Sequence, residues 1–375
     1  MRGLHDTISR LNAVRQRAPI PVQAINDHLV PIEKFGTNPG GLRGWAYIPA
    51  GLPSGAPLVV VLHGCTQTAA GYDRSSGWST AADRHGFAVL FPEQQRANNP
   101  NLCFSWFTPQ HASRDRGEAL SIRQMIAAIQ SRHRTDPERV FVTGLSAGGA
   151  MAAVMLATYP EVFAGGAVIA GLPFGTAQSV PEALDRMRAH GGVRPSALGQ
   201  LVRSASSHGG PWPILSVWHG TNDSTVNPGN AGAIVDQWRT LHGVGDAPCL
   251  SDEVDGYPHR AWCDAKGREV IEEYVITGMG HGTPLSTSGA GQGETAAPYM
   301  LEAGISSTQH TLAFWGLRSG LAKPAKASLR SVEPKARETK LPAGAERLQG
   351  HPQSPAGGLR KTIEDALRAA GLLDR

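Results

Sequence analysis

Apolar positions along the chain fall into two alternating kinds of segment. Pro57-Leu58-Val59-Val60-Val61-Leu62-His63-Gly64 is a continuous apolar run stopped by a glycine. So short a run with no polar face predicts a strand buried on both sides, in a sheet covered by helices. Phe87–Pro92, Val140–Thr143, Val162–Ala170, Ile214–Gly220 and Val270–Thr277 repeat it, and Leu42–Pro49 alternates like an early strand. Helical spacing separates these runs. It predicts helices over Ser79–His85, Glu118–Arg132 (Leu120, Ile122, Ile126 and Ile129 near one stripe), Ser146 to about Tyr159, Ala231–His242 and Thr308–Leu317. Strands alternating with helices give an α/β fold, a doubly wound and mostly parallel sheet with helices on both faces. Between Pro173 and Pro211 the periodicity weakens; an insertion there, after a strand, predicts a cap or substrate wall (173–211) on the loop side of the sheet.

The two ends read differently. Residues 1–35 carry Leu4, Ile8, Leu11 and Val14 at helical spacing and predict a short amphipathic helix and a connector before a 36–320 α/β domain. Residues 321–358 are rich in Pro, Ala, Lys, Arg and Glu and read as a disordered linker. Residues 359–375 hold Ile363, Leu367 and Leu372, a short helix expected to dock back or to contact a partner.

Charge changes the picture only in the tail. Of 35 Lys/Arg and 31 Asp/Glu, residues 321–375 hold 11 and 6, a net of +5; the remaining 24 and 25 leave −1. The near-neutral remainder gives no footprint for nucleic acid. No run of 18 apolar residues predicts a membrane span. The N-terminus lacks the apolar stretch and small-residue cleavage site of a secretory signal, so a cytoplasmic protein is expected, with secretion as the alternative. Cys65 and Cys103 each follow a predicted strand, and Cys249 and Cys263 flank a loop. Two disulfides and four buried thiols both stay open.

The chemistry centres on Gly144-Leu145-Ser146-Ala147-Gly148, set between a strand and a run of small residues. Strand, sharp turn, helix is the arrangement that exposes a serine hydroxyl, with glycines where a Cβ would crowd the neighbouring elements. A serine hydroxyl needs a base, and the base needs a third group to fix its tautomer. His281, in Gly278-Met279-Gly280-His281-Gly282 after the last strand, fits the base among 14 histidines. Asp223, in Trp218-His219-Gly220-Thr221-Asn222-Asp223, fits the third group; Asp252 and Asp255 are its rivals. An oxyanion needs two N–H donors. Ala147, directly after the serine, and Cys65, in His63-Gly64-Cys65-Thr66-Gln67, are the candidates. His63 is assigned to bracing this loop rather than to a second base. Trp106 and Gln67 are assigned to substrate binding, with a core tryptophan as the rival reading of Trp106. No H-E-x-x-H, C-x-x-C or G-x-x-x-x-G-K-[ST] pattern points to a metal or nucleotide.

Leu62-His63-Gly64-Cys65-Thr66-Gln67, Cys103-x-Ser105-Trp106-Phe107, Gly144-Leu145-Ser146-Ala147-Gly148-Gly149 and Trp218-His219-Gly220-Thr221-Asn222-Asp223 together resemble the poly(3-hydroxybutyrate) depolymerase family of esterases. Its relatives include feruloyl and acetylxylan esterases. The resemblance covers roughly 36–316. It implies an α/β-hydrolase fold, no cofactor, and hydrolysis of carboxylic esters through Ser146, His281 and Asp223. Polymer-degrading members are commonly secreted and carry a substrate-binding domain after a linker; here a short predicted helix follows the linker. Hydroxyalkanoate oligomers and small short-chain esters are therefore the expected substrates, ahead of a solid polymer. Feruloyl or acetylxylan esters, acyl transfer to another acceptor, and an inactive hydrolase-fold binding protein are the alternatives.

Overall fold

In the computed structural model, which describes residues 28–288 and 293–318, the apolar runs become the middle of a ten-stranded sheet. Its strands in chain order are β1 (Val30–Pro31), β2 (Arg43–Tyr47), β3 (Leu58–Leu62), β4 (Ala88–Glu93), β5 (Val140–Leu145), β6 (Gly165–Ile169), β7 (Ile214–Gly220), β8 (Leu250–Val254), β9 (Tyr257–Cys263) and β10 (Glu269–Ile276). Their spatial order is β1-β2-β4-β3-β5-β6-β7-β10-β9-β8. The six from β4 to β10 in that order run parallel. Antiparallel β2 flanks them on one side and the β9–β8 hairpin on the other. This is the doubly wound, mostly parallel sheet that the strand and helix alternation implies, and the α/β-hydrolase arrangement that the family resemblance implies.

Helices cover both faces. They are α1 (Ala69–Ser76), α2 (Trp78–His85), α3 (Gly117–His133), α4 (Ala147–Thr158), α5 (Val180–Met187), α6 (Pro195–Arg203), α7 (Gly229–His242) and α8 (Ser307–Phe314). Neighbouring residues of β3 feed two separate cores, as period-two geometry requires. Leu58, Val60 and Leu62 pack with Ile122, Ile126, Met151 and Met155 of α3 and α4. Val59 and Val61 pack with Trp78, Ala81 and Trp315 on the other side. All twelve residues of α4 are buried. That explains its Gly/Ala/Met composition, since only small or flexible side chains let a helix lie directly against the sheet.

Several elements differ from the sequence expectation. The Val162–Ala170 run splits into a 3-10 turn (Pro160–Val162) and β6, which begins only at Gly165. Helix α1 was not expected because Ala-Ala-Gly-Tyr-Asp-Arg-Ser-Ser has no apolar stripe. It is held instead by its Thr68 cap and by burial of Tyr72, Asp73, Ser75 and Ser76. The loop expected between Cys249 and Cys263 is the β8–β9 hairpin, whose polar β8 sits at the sheet edge. A two-stranded parallel pair, β11 (Thr283–Leu285) with β12 (Met300–Glu302), follows the last large strand. Residues 173–211, where an inserted cap or wall is expected, contain α5 and α6. The expected N-terminal helix before residue 28, the linker and the C-terminal helix lie outside the described residues.

Both cysteine pairs are disulfides, Cys65–Cys103 across 38 residues and Cys249–Cys263 across 14. Loop-closure entropy makes them worth about 4 and about 3 kcal/mol respectively. They are expected to differ in a second way. Cys249→Ser/Cys263→Ser should lower stability in a denaturant titration and leave kcat on a short ester unchanged. Cys65→Ser/Cys103→Ser should lower both, because Cys65 lies in a loop beside the site.

Candidate active site

Four loops at the carboxyl edge of the parallel strands build the site. The first turns from β5 into α4. Ser146 sits there at φ 56°, ψ −117°, a left-handed backbone that costs a non-glycine residue roughly 1–3 kcal/mol. The fold imposes that strain by close approach. A Cβ on Gly144 would lie 2.4 Å from the Gly148 carbonyl, and one on Gly148 would lie 2.3 Å from Leu62 O. The Ser146 N–H is held by Ile169 O at 2.9 Å. Ser146 stays half-buried while its neighbours Leu145 and Ala147 are buried. The contact of Gly148 with the end of β3 also sets the first turn of α4 against His63. The N–H of Ala147, first in the helix, has no intrahelical acceptor and faces outward with the positive end of the helix dipole.

The second loop follows β3 and is fastened at several points. His63 is 1% exposed; its Nε2 accepts the Gln94 N–H at 3.1 Å, so its Nδ1 carries the proton given to Gly64 O at 2.8 Å. Burial pushes the His63 pKa below the ordinary value, and both nitrogens are engaged, which fits a brace rather than a base. The Gly64 N–H goes to Gln67 Oε1 at 2.8 Å, Thr66 N–H goes to Asn101 O at 2.6 Å, and the disulfide ties Cys65 to Cys103. Among the described residues, the Cys65 N–H has no hydrogen-bond acceptor.

The third part joins the loops after β7 and β10. A Cβ on Gly220 would lie 2.3 Å from Met279 O, and Asn222 N–H bonds that same carbonyl at 2.9 Å. Gly278, at φ 78°, donates its N–H to Thr221 Oγ1 at 2.8 Å. The two loops are thus laced together, and Asp223 meets His281. Asp223 Oδ1 accepts the Thr225 and Val226 N–H groups, each at 2.8 Å, and Oδ2 lies 2.7 Å from His281 Nδ1. A carboxylate only accepts, so His281 Nδ1 carries the proton and Nε2 is left as the basic nitrogen. Burial alone would raise the Asp223 pKa, but hydrogen bonds from His219 and His281, the charge of His281 and the Val226 N–H hold it well below the usual carboxylate range.

His219 is a partner that the sequence did not reveal. Its Nε2 lies 2.9 Å from Val226 O and 3.2 Å from Asp223 Oδ2, both acceptors, so this nitrogen carries the proton. It therefore joins His281 as a second donor at the same carboxylate oxygen. The rivals of Asp223 are engaged elsewhere: Asp252 with His259 and Asp255 with His310, each at 2.8 Å. Tyr299, another residue with no sequence signal, stands edge-on to the His281 ring with centroids 6.1 Å apart.

The expected substrate contacts are less open than their sequence positions suggest. Trp106 is 8% exposed and packs edge-to-face with half-buried Phe107 in the main core. The Gln67 side chain accepts from Gly64, and its Nε2 reaches Pro298 O at 3.4 Å. Among the described residues, no group of three or more His, Cys, Asp or Glu side chains is gathered to hold a metal ion, and no helix is long and apolar enough to cross a membrane.

Against known proteins, the family model described as Esterase PHB depolymerase matches residues 45–253. The chain is 47% identical to poly(3-hydroxyalkanoate) depolymerase C of Paucimonas lemoignei over 291 residues, 77% of this chain and 70% of that one. It is 31% identical to an acetylxylan esterase of Coprinopsis cinerea over 268 residues, 69% of this chain and 70% of that one. Among solved structures, the acetyl xylan esterase from Aspergillus awamori aligns with a TM-score of 0.64 at 25% identity, covering 77% of this chain and 99% of that one.

Proposed function

The chain belongs to the PHB depolymerase family of esterases and is a carboxylic ester hydrolase, and from that premise we propose that Ser146, His281 and Asp223 carry the reaction through an acyl-enzyme. His281 Nε2 takes the Ser146 proton as Oγ attacks the ester carbonyl. The tetrahedral oxyanion is met by the Ala147 and Cys65 N–H groups. Collapse of that intermediate breaks the ester C–O bond, and His281 returns the proton to the departing alcohol. Water then repeats the attack on the acyl-serine, again losing its proton to His281. Asp223 keeps His281 in the tautomer with Nδ1 protonated and stabilises its cation. The observation that carries this reading is the 2.7 Å contact between His281 and the buried carboxylate of Asp223, on the strand edge that also presents the strained Ser146.

The substrate follows from likeness. Identity of 47% to a poly(3-hydroxyalkanoate) depolymerase, against 31% to an acetylxylan esterase, supports oligomers of hydroxyalkanoates and small short-chain esters. The purified protein is expected to hydrolyse hydroxybutyrate oligomers with a higher kcat/KM than feruloyl esters or acetylated xylan. The reverse order in that panel assigns it to plant-polysaccharide esters instead. Acyl transfer would show as product partitioning that changes with added alcohol. Two disulfides fit maturation in an oxidising compartment and favour secretion over the cytoplasmic expectation.

A further inference from the structure

Behind the loop after β3 lies a buried carboxylate that the reaction does not use. Glu118, in the first turn of α3, is 0% exposed. Its Oε2 accepts the Ser105 N–H and its Oε1 accepts the Gln94 Nε2–H, each at 2.8 Å. Gln94 continues in two directions. Its backbone N–H goes to His63, which holds Gly64, and its side-chain amide also donates to Cys103 O at 3.2 Å. Cys103 is joined to Cys65. One carboxylate therefore reaches both sides of the loop that offers the Cys65 N–H, once through Gln94 and His63 and once through Ser105 and Cys103.

We propose that Glu118 is a positioning residue that holds the loop after β3 in the geometry that presents the Cys65 N–H to the oxyanion. This rests on the reaction proposed above. The requirement is for the ionised form, because both hydrogen-bond partners are donors and a carboxylate accepts from both at full strength. Burial, opposed by the bonds from Ser105 and Gln94, pushes the Glu118 carboxyl up to about 7. The titratable group facing it is His111, whose Nδ1 lies 3.7 Å from Oε1 and has no hydrogen-bond partner among the described residues. Burial lowers the His111 pKa, which disfavours a cation beside the carboxylate. A raised folded-state pKa means that the contribution of Glu118 to stability is fully present below about 4.5 and is lost as pH rises through 7. Ionised Glu118 thus costs stability under the conditions where the loop needs it, which is the pattern of a group kept for function.

The test is Glu118→Gln in the full chain, assayed on a soluble chromogenic short-chain ester from pH 5 to 9 with thermal melts alongside. The amide has the carboxylate's shape but turns a donor against either Ser105 N–H or Gln94. At pH 8, kcat should fall about tenfold or more, short of the 10²–10³ lost when a donor is removed outright. KM should stay within about twofold, since the oxyanion exists only in the transition state. The melting temperature should hold or rise, and the acid limb of kcat should lose the steepness of a second proton. If Glu118→Gln does not fold, Gln94→Met cuts the same arm and carries the same expectation of lower kcat at constant KM. Wild-type kcat and an unchanged pH profile, or losses that merely track the unfolded fraction, overturn the proposal. Ser146→Ala run in parallel separates the two readings: if it stays active, the reaction scheme itself falls.

Discussion

Replacing Ser146 with alanine is expected to bring turnover of a short-chain chromogenic ester down by about a millionfold, the scale seen when the nucleophile of a serine triad is removed. Folding should survive it. The left-handed backbone at Ser146 is imposed by Gly144 and Gly148 pressed against α4 and the end of β3. Alanine has the same Cβ as serine and adds no new steric demand at that φ. The Ser146 N–H bond to Ile169 O is a backbone bond and remains. An unchanged melting temperature, with loss of labelling by a fluorophosphonate probe, is therefore the expected pair of results. Labelling that persists at wild-type rate would place the nucleophile on another side chain.

Asp223→Asn should lower kcat by about 10⁴ for a reason that can be read from the hydrogen bonds. The Thr225 and Val226 N–H groups both point at Oδ1, so the amide oxygen of the variant must take that place. Its NH2 is then turned toward His281 Nδ1 and His219 Nε2. His219 still has Val226 O to donate to. His281 has no such alternative on the Asp223 side and must accept at Nδ1, which puts its proton on Nε2 and removes the base. The kcat loss should come with little change in KM. The variant should also lose part of the acid sensitivity of stability. A carboxyl held below its usual value stabilises the fold above pH 3.8 and loses that contribution as pH falls toward its folded-state value. Melting temperatures of the two proteins should therefore converge below pH 3.8. Near-normal activity in Asp223→Asn at pH 7 would show that His281 needs no anionic partner.

Much of this was visible in the chain before any coordinates. Continuous apolar runs marked the parallel strands because a strand covered on both faces has no polar side to keep. Glycines at 144 and 148 marked the turn at Ser146 because a Cβ at either place meets backbone at under 2.5 Å. Helix α1 and strand β8 were missed for the converse reason. Their residues carry no periodic apolar face, and capping, edge pairing and burial of polar side chains hold them. Asp223 stands out from Asp252 and Asp255 in the sequence because it directly follows a predicted strand, as they do not. Only the lacing of Gly220 to Met279 brings one of the three to His281.

The sequence alone thus determined the six parallel strands, the helices that separate most of them and the strand ends that carry Ser146, Asp223 and His281, since periodicity and glycine placement act locally. Tertiary structure decided what surrounds those side chains. His219 beside Asp223, Glu118 behind the loop of Cys65, Tyr299 at His281 and the burial of Trp106 all depend on contacts between segments far apart in the chain. Such contacts leave no local pattern, because the energy that fixes them comes from hydrogen bonds and burial shared between elements that meet only once the sheet has formed.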